Sequence, residues 1–145
     1  MYARRLGVDR ARKLNPFALL ASQGVPLALG SDTPVTSINP WATVRAAMRH
    51  QTPGSALSAR AAFAAATRGA WRAGGAGDGV TGTLAPGAPA SYAIWEADEL
   101  EVSAPADAVQ RWSTDQRSRV PALPRLDDPL PRCRRTVHRG AVIHG

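Results

Sequence analysis

Residues 24–35, Gly-Val-Pro-Leu-Ala-Leu-Gly-Ser-Asp-Thr-Pro-Val, constrain this chain more than any other stretch. Val25 to Leu29 form a short apolar run closed by Gly30, with no polar residue alternating inside it, which reads as a strand buried on both faces. Ser31, Asp32, Thr33 and Pro34 follow at once, so the Asp32 carboxylate is expected at the carboxyl edge of a parallel strand. That edge is where α/β sheets and barrels place their working groups. Alone, Gly30-Ser31-Asp32 is equally an ordinary turn tripeptide.

The neighbouring segments fit an αβ unit. Tyr2 to Leu14 is a basic helical candidate, and Asn15-Pro16 supplies a cap and first helical position for a helix over 16–23 that Gly24 ends. Asn39-Pro40 repeats the device for a helix over 40–50, with Trp41, Val44 and Met48 on one face. Trp41 suits core burial better than a substrate mouth. Ser58 caps an Ala-rich helix over 59–73 that Gly74-Gly75 stops. Glycine and proline then dominate 77–89, and Tyr92 to Trp95 reads as a strand. Residues 105–120 pattern weakly as a helix around Val109 and Trp112, and Pro121 to Pro131, with four prolines, reads as loop. The chain closes on a hairpin, Thr136-Val137 and Ala141 to Ile143 around an Arg139-Gly140 turn.

Four of these words, in this order and spacing, carry a resemblance: Asn15-Pro16-Phe17, Gly24 to Val35, Ala66-Thr67-Arg68-Gly69-Ala70 and Gly82 to Ala90. Together they resemble the carboxyl-terminal portion of the amidohydrolase superfamily, in its YtcJ-like branch of metal-dependent hydrolases. The resemblance implies an α/β fold, the end of a (β/α)8 TIM barrel with part of its small β-sandwich lobe. Residues 1–76 are then the last αβ unit with the helices after it, and 77–145 part of the lobe with a Pro-rich loop. Ala90-Ser91 stands where the family usually carries Ala-Asp, a position read as structural.

For the chemistry, the resemblance implies hydrolysis of C–N bonds in small amides or cyclic amides by water bound to a divalent metal, zinc above all. Asp32 is then both metal-binding and catalytic, taking the proton of that water and delivering it to the leaving nitrogen. Ser31 and Thr33 flank it, where they orient the carboxylate or simply satisfy the loop. The family's other ligands, a His-x-His pair, a lysine or carboxylate and two further histidines, have no counterpart here. His50 reads as a helix C-terminal cation, and His138 and His144 as members of the hairpin. One aspartate does not hold an ion, since a site needs three or more convergent ligands. The chain alone is therefore expected to bind no metal and to be inactive, whether as a truncated product, a misassigned start or a cloned fragment.

Charge and composition bound the alternatives. The 145 residues carry a formal charge of +7, with arginine supplying every base except Lys13, which invites a nucleic-acid reading or a non-catalytic Arg-rich module. The basic residues are nevertheless spread from Arg4 to Arg139, and the dense set Arg132, Arg134 and Arg135 lacks interleaved aromatics, so nucleic acid is not expected. Gly74 to Gly79 lacks the lysine of a phosphate-binding loop. Cys133 is the single cysteine, which excludes an intrachain disulfide and a Cys-based zinc site. No run approaches the ~20 apolar residues of a membrane span, and a cytoplasmic location is expected. A barrel strand with two bare edges predicts self-association, or a second chain that completes the barrel.

Overall fold

The computed structural model describes residues 2–101 and 122–145. The helices come first. Helix α1 spans Tyr2–Leu6 and α2 Val8–Ala11, parted by Gly7 at φ 81°. Helix α3 covers Phe17–Ser22, α4 Pro40–Met48 and α5 Ala59–Ala64; a π turn, Ala65–Gly69, leads into α6, Ala70–Ala73. Strands follow: β1 Tyr92–Glu96, β2 Leu100–Glu101, β3 Leu123–Pro124, β4 Arg132–His138 and β5 Ala141–His144.

Local chemistry sets most of these boundaries. Asn39 is extended and its side-chain oxygen accepts from the Ala42 amide at 3.0 Å, with Pro40 at the first position of α4. Ser58 accepts from the Ala61 amide at 3.2 Å and starts α5. Gly24, at φ 73°, ends α3 by donating to Ala21 O while Val25 N donates to Leu20 O, the paired bonds of a left-handed C-terminal cap. Gly75 and Ala76 close α6 with the same pair of bonds, to Arg72 O and Trp71 O. Asn15 behaves differently from its expected role. It lies at φ 51°, outside the extended conformation a capping residue needs, so α3 begins at Phe17 with no side-chain cap.

The core forms on α4 and α5. Trp41, Val44 and Ala47 are buried on one face of α4, with Met48 half-buried, and they meet Leu57, Ala59 and Ala62. Trp41 stacks on Phe63 with centroids 5.9 Å apart and meets Trp95 of β1 edge-on. Leu123 and Leu126 cover the cluster from the proline-rich side. That segment is thus more than loop, because Leu123 pairs with Glu101 and both leucines bury their side chains. The expected helix at 105–120 lies outside the described residues.

The sheet is antiparallel, in the order β1-β4-β5. Tyr92 pairs with Val137 and Ile94 with Arg135; Val137 in turn pairs with Val142. Arg139 and Gly140, both at positive φ, make the two-residue hairpin turn. The Ser91 hydroxyl accepts the Arg139 amide at 3.0 Å, and Gly140 N donates to Ala90 O. Ser91 therefore braces the hairpin turn through its side-chain oxygen.

The run 25–29 is not the buried parallel strand expected of it, and the described residues form no barrel. A parallel strand exists only beside another, and no described strand pairs with this segment. Its amides turn to helices instead: Val25 N donates to Leu20 O and Leu29 N to Ala65 O. Leu27 and Leu29 are half-buried against the core, while Val25, Pro26 and Ala28 are exposed, so one side is covered and the other open. With no strand here, the bare strand edges invoked for self-association are absent among the described residues.

Candidate functional site

Asp32 is placed by what precedes and follows it. Leu27 and Leu29 pack toward the helices, and three residues after Leu29 the chain reverses in a turn closed by Val35 N donating to Asp32 O at 2.8 Å. Asp32 sits at φ 57°, the left-handed region that aspartate enters more readily than most residues. It is exposed, and the Thr33–Pro34 peptide that follows is cis.

The loop hydroxyls are committed to each other and to main-chain oxygens. Ser31 Oγ and Thr33 Oγ1 lie 2.8 Å apart, Thr33 Oγ1 donates to Thr36 O at 3.0 Å, and Thr36 Oγ1 donates to Ser31 O. This network fastens the two flanks of Asp32 together across the turn. The carboxylate between them is exposed to solvent.

The histidines lie in separate places. His50 follows α4, and its Nδ1 accepts the Thr52 amide at 3.0 Å while the ring meets Phe17 edge-on at 5.2 Å. The ring thus anchors the loop that follows α4. His138 of β4 stacks on Trp71 of α6 with centroids 6.0 Å apart and planes 5° off parallel, and His144 pairs with Thr136 in the hairpin. Among the described residues no three His, Cys, Asp or Glu side chains converge as a metal site. The described side chains thus do not fit a divalent ion.

Two other features bear on binding. A shallow cleft of about 100 Å³ opens between α4 and the 123–127 segment, lined by Arg45, Met48, Arg49, Leu123 and Leu126. Its arginines face carboxylates: Arg45 reaches Asp128 at 2.9 Å, Arg49 reaches Asp127 at 2.6 Å, and Arg125 reaches Asp127 at 2.8 Å. The hydrogen bond from Arg49, then that from Arg125, holds the Asp127 carboxyl below its ordinary range. Arg134 does the same for Glu96 through a 2.6 Å contact. No helix among the described residues is long and apolar enough to cross a membrane.

The sequence words that flank the loop have a structural meaning that spacing does not reveal. Gly69 stands where an added Cβ would fall 2.1 Å from Leu27 O, and Gly82 where one would fall 2.6 Å from Trp71 Cδ1. A glycine inside an Ala-rich helical run was the available signal for the first of these contacts. Asp78 shapes the approach to the second, its carboxylate accepting from the Thr81 hydroxyl and from the Thr81 and Val80 amides, which keeps its pKa low.

No match was found for the chain among curated proteins or among solved structures. Compared with known families, residues 1–144 match the one described as the amidohydrolase family, a span that takes in the Asp32 loop, the π turn and the terminal hairpin. The chain belongs to the amidohydrolase family.

Proposed function

We propose that this chain supplies the proton-carrying carboxylate, Asp32, to a hydrolase that cleaves C–N bonds of small amides or cyclic amides. The family match across residues 1–144 carries this reading, because it takes in an exposed aspartate at the exit of an apolar segment and fixed in a turn on both sides. A carboxylate so placed accepts a proton from the attacking water and returns it to the leaving nitrogen. Ser31 and Thr33 support it by stiffening the loop. Amidohydrolases are generally metal-dependent and act on small molecules; in this proposal the ion, zinc for preference, and its imidazole ligands come from parts of a TIM barrel beyond these residues.

The chain then corresponds to the carboxyl-terminal portion of a YtcJ-like enzyme, 1–76 belonging to the barrel and 77–145 to its β lobe, in the cytoplasm. Alone it is inactive. Val25, Val35, Ile38 and Leu84 are exposed apolar side chains consistent with a missing partner surface, supplied by a complementing chain or by self-association. The test is to join the chain to the polypeptide encoded upstream and follow amine release from a panel of amides and cyclic amides. Asp32→Asn is expected to lower kcat by at least ~100-fold, the usual share of a proton-transfer group. Full activity of Asp32→Asn, or hydrolysis by the chain alone, contradicts the proposal.

A further inference from the structure

We infer that the π turn Ala65–Gly69 is the device that positions the Asp32 loop, with Gly69 as its positioning residue. The functional meaning rests on the reading of Asp32 above, whereas the latch itself is read from the backbone. Leu29 N donates to Ala65 O at 3.1 Å. In an α-helix that carbonyl belongs to the amide four residues on; a π turn passes the bonding one residue further and opens a carbonyl to an outside donor. The helix here gives up regularity at the place where the chain leading to Asp32 crosses it.

Gly69 completes the latch. Its backbone is ordinary right-handed helix, φ −62° and ψ −44°, so no conformational need calls for glycine. Space does. A Cβ at this position would lie 2.1 Å from the carbonyl oxygen of Leu27 and 3.3 Å from its carbon, and these are main-chain atoms with no flexible end to swing aside. Glycine is a poorer helix former than alanine, so in this Ala-rich run its presence opposes local propensity. In an extended segment the carbonyl of one residue and the amide two residues on point to the same side, so Leu27 O and Leu29 N address the same helix face. Three residues later stands Asp32, in a turn already closed by the Val35 amide and tied by the Ser31, Thr33 and Thr36 hydroxyls. Few free torsions separate the latch from the carboxylate.

The test uses the full chain, isotope-labelled, with amide exchange and chemical shifts read residue by residue. In the wild type the Leu29 amide is expected to exchange at least tenfold more slowly than the exposed Ala28 amide; equal rates overturn the inference. In Gly69→Ala, Leu29 protection is expected to fall at least tenfold and the signals of Ser31, Asp32 and Thr33 to shift, including the carboxyl carbon of Asp32. The Leu57 amide, bonded to Ala47 O in the core, stays protected. Gly77→Ala, where nothing lies within 4 Å, leaves all of these signals unchanged. Deleting Ala66 returns the π turn to α spacing and is expected to release Leu29 in the same way. A loss of stability alone would not move the Asp32 carboxyl signal in a folded variant. Folded Gly69→Ala or ΔAla66 protein with wild-type Leu29 exchange and unmoved 31–33 signals overturns the inference. An active Asp32→Asn enzyme, by contrast, removes the catalytic reading and leaves the latch standing.

Discussion

Replacing Val44 by alanine tests the core that holds the whole arrangement. Val44 is 2% exposed on α4, between Trp41 and Ala47 and facing Leu57 and Ala62. The change removes two buried carbons, worth ~0.8 kcal/mol each in transfer from water, or ~1.6 kcal/mol. The neighbours on α4 and α5 are backbone-anchored and refill the space incompletely, which adds a cavity cost and brings the total to about 2–3 kcal/mol. For a chain of this size each kcal/mol moves the melting temperature by ~3 °C, so a drop of about 6–9 °C is expected. Val35→Ala makes the same chemical deletion at a residue 77% exposed and is expected to stay within ~0.5 kcal/mol of wild type. Urea and thermal unfolding followed by circular dichroism measure both, with the urea slope unchanged. A Val44→Ala cost below ~1 kcal/mol, or a Val35→Ala cost equal to it, refutes the placement of the core.

Gly82→Ala places a Cβ 2.6 Å from Trp71 Cδ1 and 3.2 Å from Arg68 Cα at φ 83°, whereas Gly87→Ala shares the left-handed backbone, φ 86°, in open space. Chemical unfolding is expected to show ~1–2 kcal/mol lost at Gly87 from backbone strain and a further ~1–3 kcal/mol at Gly82 from overpacking; equal losses would remove the contact from the account. Stability also responds to acid. Asp127, Glu96 and Asp78 each have a carboxyl pKa below the unfolded value, so the unfolded chain binds more protons, and the stability they contribute is present above the ordinary carboxylate range and lost as pH falls through and below it. Urea midpoints measured from pH 6 down to pH 3 are expected to decline, less steeply in Asp127→Asn; a decline identical in the variant would show that the Arg49 and Arg125 contacts do not act in solution.

Helix ends were legible because their signals are local. Asn39-Pro40, Ser58 and Gly24 each act through atoms within three or five residues, and the structure shows those bonds. The Arg139-Gly140 hairpin was legible for the same reason. Residues 25–29 were misread because apolar content does not say what covers it: a strand needs a neighbour, and here helices accept its amides. Asn15 carries a capping side chain but takes a left-handed backbone that forbids the role. Periodicity could not reveal the π turn, since one inserted residue barely disturbs an alanine-rich pattern. Leu123 and Leu126, set among prolines, gave no pattern and yet close the core. For the site, the word around Asp32 was readable, whereas the Leu29–Ala65 and Leu27–Gly69 contacts join segments about forty residues apart in the chain. Kinship, too, rests on the full run of residues 1–144 and not on a single strand.

Metal content, measured by elemental analysis after purification and dialysis against zinc-containing buffer, decides whether Asp32 belongs to a site completed by ligands outside this chain. Far less than one zinc per chain is expected for this polypeptide alone and about one or two once the proposed complementing polypeptide is joined to it, with Asp32→Asn lowering the latter. Stoichiometric, tightly held zinc in the chain alone would contradict the claim that Asp32 serves a site whose other ligands lie elsewhere.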